Sequence, residues 1–157
     1  MSLNDKNNIK KLLEDFTHIA KLAGIDISLD DITIEILQAP HQSPTSLPKG
    51  KIGIYIFKEG ENYLKVGKVG PKSNARYTSH HYNPKSAKSN LAASLLSDKE
   101  TVECYTLTQD NIGAWIKENT TRINLLMDET LGSCTLSLLE SFLHCRLDPK
   151  FEGHQWR

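Results

Sequence analysis

The run KIGIYIFKEGENYLKVGKV, residues 51–69, constrains this chain more than any other stretch. IGIYIF and NYLKVGKV are β-forming segments joined by KEGE, whose Gly60 suits a tight turn, so a β-hairpin is predicted. Tyr55 stands between Ile54 and Ile56, so its side chain faces away from both, and Lys65 falls on the paired strand. The other elements have to pack around this hairpin.

The chain has 157 residues, enough for one domain with a substantial core and hardly enough for two. Ile9, Leu12, Leu13, Phe16, Ile19, Ala20 and Ala23 recur at helical spacing ahead of Gly24, and predict an amphipathic helix. Its apolar stripe fits packing on the chain's own core better than docking to a partner. DDITIEIL alternates like a half-buried strand, although its length also permits a short helix, and the strand is the preferred reading. Pro40, Pro44 and Pro48 then exclude regular structure, which makes residues 39–50 a linker. Residues 1–48 are therefore taken as an N-terminal extension, and 49–157 as the main domain.

Beyond the hairpin, Ser73 or Asn74 is placed to cap a short helix carrying Arg76 and His80, ended by Pro84. Ser86 or Ser89 is expected to cap a helix through Leu91, Leu95 and Leu96, and TVECYTLT alternates like a third strand. Asp110 opens a predicted helix with Ile112, Trp115 and Ile116 inward and Ile123 as a further candidate. SCTLSLLESFLHCRL, residues 133–147, predicts an apolar helix stopped by Pro149. The order points to an α+β fold, a small antiparallel or mixed sheet covered by helices.

No apolar run approaches the roughly 18 residues of a membrane span. The N-terminal MSLNDKNNIKKLLEDF is too polar and acidic for a targeting peptide, so a cytoplasmic protein is expected. Cys104, Cys134 and Cys145 have the spacing of neither a disulfide framework nor a zinc site, and are expected to be buried thiols. Net charge is zero, yet Asn62 to Ser97 contains no Asp or Glu. That stretch carries Lys65, Lys68, Lys72, Arg76, Lys85 and Lys88 beside His80 and His81, and concentrates a positive field.

Glu140 is the acid most at odds with its neighbours. At 100° per residue, Leu136, Leu143 and Leu147 lie within about 60° of it, so its carboxylate stands in or beside an apolar face. A metal ion, an arginine such as Arg122, or a raised pKa is needed to compensate. Arg76 and His80 are four apart; on one helix they would share a face and grip a phosphate. Tyr55 as a base needs a cation or metal-bound water, because an unperturbed phenol titrates near pH 10, and Lys65 is the nearest candidate cation in sequence pairing. GKVGPKS lacks the spacing of a phosphate-binding loop, and Pro71 removes an amide donor, so no nucleotide cofactor is expected.

Gly53-Ile54-Tyr55, Lys65-Val66-Gly67, Arg76 with His80, Glu140 in LLESFL, and Pro149-Lys150-Phe151 succeed one another in an order that resembles the GIY-YIG nuclease superfamily, from about Gly53 to Gly153. The resemblance implies a three-stranded antiparallel sheet flanked by helices, and cleavage of DNA phosphodiester bonds with one divalent ion, Mg²⁺ or Mn²⁺. It assigns the metal to Glu140, water activation to Tyr55, charge stabilisation to Arg76, and an assisting role to His80. Lys65 replaces the usual second-motif tyrosine, and Glu152 stands where asparagine is frequent. In this reading Lys65 joins the catalytic set, and Lys68, Lys72, Lys85 and Lys88 attract the DNA backbone. The alternative is a catalytically degenerate module of the same fold that binds nucleic acid without cutting.

Overall fold

A computed structural model of the chain describes residues 2–87 and 90–151. Its centre is a four-stranded antiparallel sheet of β1 (Thr33–Leu37), β2 (Lys51–Glu59), β3 (Asn62–Val69) and β4 (Thr121–Asp128), in the order β1-β4-β2-β3. The hairpin β2–β3 turns at Gly60, whose φ of 56° is a left-handed conformation that glycine adopts without a Cβ penalty. Helices α1 (Ser2–Leu22), α2 (Asn74–Thr78), α3 (Leu91–Ser97), α4 (Lys99–Tyr105), α5 (Ile112–Asn119) and α6 (Gly132–Leu147) surround it, with short 3-10 turns at Leu29–Asp31, His80–Tyr82 and Glu129–Leu131. The α+β class agrees with the sequence, but the sheet has four strands rather than three, because β1 adds to the free side of β4.

Other expectations are corrected. TVECYTLT is not a strand: Asp98 accepts the Thr101 amide proton and caps α4 over Lys99–Tyr105. The missing strand is β4, whose residues from Arg122 to Met127 are all buried. A strand covered on both faces loses its period-two signal, and Ile123 then falls at a spacing that also continues the preceding helix. That helix, α5, starts after Asn111 and stops at Asn119. The cap of α3 is Asn90, accepting from the Ala93 amide, rather than Ser86; Ser89 lies outside the described residues.

One face of the sheet presents Ile52, Ile54, Ile56, Val66, Ile123, Leu125 and Met127 to α1 and α6, which contribute Ile9, Leu13, Phe16, Leu136, Leu139 and Leu143. Phe16 is fully buried there, so the stripe of α1 is core rather than a free docking face. The segment before Lys49 thus shares both sheet and core with the rest of the chain. No helix among the described residues is long and apolar enough to cross a membrane. The three cysteines are exposed, contrary to expectation: Cys134 and Cys145 sit on α6 away from its Leu136–Leu139–Leu143 side, and Cys104 sits on the helix α4 that replaced the expected strand.

The opposite face is organised around a charge. Arg122 is fully buried, its guanidinium 4.9 Å from the ring centre of Tyr77, 5.3 Å from Phe57 and 6.0 Å from Tyr82. Its Nε donates to Asn124 Oδ1 (2.9 Å), Nη1 to the Tyr82 hydroxyl (3.2 Å) and Nη2 to the Tyr77 carbonyl (2.6 Å). Asn124 in turn donates to Glu35 (3.4 Å), which also accepts the Tyr77 hydroxyl (3.3 Å). Burial, with Glu35 nearby, holds the Tyr77 phenol protonated, its pKa pushed up to about 12. The linker joins through His41, whose Nδ1 donates to the Thr120 carbonyl (2.9 Å), leaving Nε2 to accept the Tyr82 hydroxyl (2.9 Å).

Replacing Arg122 by alanine leaves three acceptors without their donor and opens space between three rings. The expected loss is on the order of 4 kcal/mol, read from the urea unfolding midpoint. Two buried histidines give a pH signature: burial pushes the His41 pKa down, and burial plus surrounding cations push that of His81 to about 2. A depressed histidine pKa adds stability that is complete above the unfolded value near 6.5 and is lost as pH falls below it. Stability is therefore expected to fall as pH drops from about 6.5 to about 5.5, above the range in which carboxylates titrate, with His81 contributing a slope that grows towards about 1.4 kcal/mol per pH unit and His41 adding in the same direction. Chemical unfolding at a series of pH values measures that slope; a flat profile contradicts it.

Candidate active site

Register alone lines up four residues across the sheet on the Arg122 face: Glu35, Asn124, Tyr55 and Gly67. Tyr55 is 2% exposed and leans from β2 over the outer strand β3, where a Cβ on Gly67 would collide with its hydroxyl and ring. Glycine at position 67 is thus a requirement of space, with no unusual backbone angle involved. Gly53, on the same face, has an equivalent reason: a Cβ would strike the Leu125 carbonyl and the Leu126 side chain of β4. Both motif glycines make room for a close approach.

Lys65 lies opposite Phe57 in the next same-face pair after Tyr55–Gly67, which makes it a diagonal neighbour of Tyr55. It is 2% exposed, unlike the solvated lysine that a strand ordinarily carries. After β3 the chain turns through Ser73 into α2, only five residues long, and then into the 3-10 turn His80–Tyr82. Arg76 and His80 therefore do not share one α-helix. The turn nevertheless brings them together, and they line a cleft of about 320 Å³ with Lys72, Ser73, Ala75 and Ala87.

His81 is the residue that sequence reasoning passed over. Its ring is buried, 4.2 Å from that of Tyr55 and 5.5 Å from that of Phe57, and its Nδ1 accepts the Leu91 amide proton at 3.2 Å. Burial first, then the charges of Arg122, Lys65, Arg76 and His80, keep it neutral. His81 follows His80 directly, so the turn that sets His80 on the cleft also sets the His81 ring against Tyr55. The tandem His80-His81 was the available signal, since neighbours on a tight turn point one outward and one inward.

Glu140 stands on the other side of β3. Its partner is not Arg122, which is enclosed on the opposite face, but Lys68, whose Nζ is 3.0 Å from the carboxylate and also donates to Ser137 (3.1 Å). Because Gly67 and Lys68 are adjacent, the Tyr55 phenol and the Glu140 carboxylate flank consecutive residues of the sheet's outer strand from opposite faces. Residues 149–151 then run back along β3, where the Lys150 and Phe151 amides bond the Tyr63 and Leu64 carbonyls at 3.0 Å each. Lys72 and Lys85 are exposed; Lys88 and Glu152 lie outside the described residues.

Among the described residues no group of three or more His, Cys, Asp or Glu side chains is arranged to hold a metal ion. Mg²⁺ characteristically takes one or two carboxylates and completes its shell with water and phosphate. A single, partly exposed carboxylate such as Glu140 fits that donor set, with Lys68 as its competitor. No family model, curated protein or solved structure matches the chain.

The contact of Tyr55 with Gly67 is testable by itself. Gly67→Ala is expected to displace the ring and destabilise the protein by roughly 1–3 kcal/mol. The double variant Gly67→Ala/Tyr55→Leu should lose less than the sum of the two single changes, because the clash is removed with the ring. Strict additivity in thermal unfolding contradicts the contact.

Proposed function

We propose that the chain is a metal-dependent endonuclease that hydrolyses DNA phosphodiester bonds, a hydrolase of the GIY-YIG type. The observation that carries this reading is the Tyr55 phenol laid over Gly67, with buried Lys65 diagonal to it and the His81 ring against it at 4.2 Å, on the turn whose His80 lines a cleft with Arg76. Tyr55, Lys65, Arg76 and His80 are the residues that the resemblance assigns to catalysis.

In this mechanism a DNA strand lies along the outer side of β3. Arg76 donates its planar fork to the non-bridging oxygens of the scissile phosphate and stabilises the charge that develops there. The attacking water gives its proton to the Tyr55 oxygen, and the cation of Lys65 favours the anionic form of the phenol that accepts it. His80, at the mouth of the basic cleft, holds the adjoining phosphate or returns a proton to the leaving oxygen. Glu140 would hold one Mg²⁺ or Mn²⁺, which when bound supplies further neutralisation of the scissile phosphate. Lys68 is then released from Glu140 to the DNA backbone, with Lys72 and Lys85. The three exposed thiols suit a reducing, cytoplasmic setting.

The Lys68–Glu140 ion pair favours a second reading, a degenerate module that binds nucleic acid with its acid permanently occupied. Supercoiled plasmid separates the two. The nuclease reading expects nicking in Mg²⁺ or Mn²⁺, reduced at least 100-fold by Glu140→Ala and by Tyr55→Phe, on the order of the loss of one electrostatic or acid–base group. The binding reading expects no nicking, with salt-sensitive DNA binding weakened by Arg76→Ala.

A further inference from the structure

His81 is enclosed on all sides, yet one of its polar atoms has no partner. Nδ1 accepts the Leu91 amide proton, so the proton of the neutral ring resides on Nε2, and this buried Nε2–H has no hydrogen-bond acceptor among the described residues. An unpaired buried donor is destabilising, and its persistence calls for an explanation in its surroundings. Those surroundings are aromatic. The ring packs on Tyr55 with centroids 4.2 Å apart and planes inclined by 50°, and on Phe57 at 5.5 Å and 55°. Aromatic faces are weak acceptors for such a donor.

The segment bearing His81 is held from several directions. Ser86 Oγ donates to the His80 carbonyl (2.9 Å), Asn90 Nδ2 to the Asn83 carbonyl (3.1 Å), and the Tyr82 hydroxyl lies between Arg122 and His41. Gly113 on α5 completes the clamp, since a Cβ there would press on the Tyr82 carbonyl. The groups whose positive forms disfavour a charged His81 are Arg122 from β4, Lys65 from β3, Arg76 from α2 and His80 from its own turn. The ring therefore offers Tyr55 the same neutral surface throughout the physiological range.

We infer that His81 is the positioning residue of Tyr55, its neutral imidazole bracing the phenol over Gly67 with the Nε2–H turned to the aromatic faces. It acts through Tyr55 and does not touch the DNA. The consequence for catalysis rests on the nuclease reading above; the geometry does not.

Imidazole ¹H–¹⁵N spectra of the full chain test the geometry directly. Expected is one ring in the neutral Nε2–H tautomer from pH 8 to pH 5, its Nε2 proton shifted upfield by ring currents, with that shift reduced in Tyr55→Leu. A His81 that is protonated near pH 6.5, or that carries its proton on Nδ1, overturns the assignment. His81→Phe keeps an aromatic ring and removes the donor; plasmid nicking is expected to lose roughly 10- to 100-fold in kcat with KM unchanged. Nicking by His81→Phe at the wild-type kcat overturns the catalytic consequence. Absence of nicking by the wild-type chain overturns the nuclease reading alone, and the spectra still decide whether His81 braces Tyr55.

Discussion

A guanidinium sealed inside the protein is the constraint on which the rest of this structure turns. Arg122 has no carboxylate in direct contact among the described residues; its charge is spread over three aromatic rings and three hydrogen-bond acceptors, with Glu35 reached only through Asn124. A buried charge tolerates such an environment only when every donor is matched and the surrounding dipoles are fixed. The matching draws in β1 through Glu35, the linker through His41, α2 through the Tyr77 carbonyl and the following turn through Tyr82. One side chain of β4 thereby sets the position of the turn that carries His80 and His81.

The two faces of the sheet divide the work. The α1–α6 face is an ordinary apolar core, and its residues are those that a periodicity argument finds: Leu13 and Phe16 on one helix, Leu136, Leu139 and Leu143 on another. The other face mixes rings, imidazoles and cations. It holds the candidate chemistry because polar groups buried there are already oriented by one another, so a substrate would meet side chains with little freedom left to lose.

That division also separates the legible from the hidden. The hairpin, the first and last helices, the short β1 and the irregular 39–50 segment were legible because local spacing and turn chemistry decide them. The strand β4 was not, since burial on both faces erases alternation, and an arginine at its second position looks like a surface residue. TVECY alternates by accident, and the Asp98 cap outweighed that pattern. In the candidate site, Tyr55, Lys65, Arg76 and His80 could be picked out in the sequence; Tyr55 and Lys65 share one face of the hairpin, and Arg76 and His80 line a cleft on the turn that follows α2. The ion pair of Glu140 with Lys68 could not be foreseen, because it depends on which face of β3 each residue meets. His81 was hidden by its neighbour: a doublet of histidines gives no clue in sequence as to which one turns inward.

The fit between a phenol and the bare backbone opposite it has an evolutionary consequence. Residues 55 and 67 are coupled by space, since a side chain at 67 is excluded for as long as the ring lies there. A lineage that discarded the aromatic group would lose the reason to retain glycine across the strand pair, and both positions would drift together. The two halves of the hairpin therefore record, in one paired choice of large and absent side chains, whether the ring still lies across the outer strand.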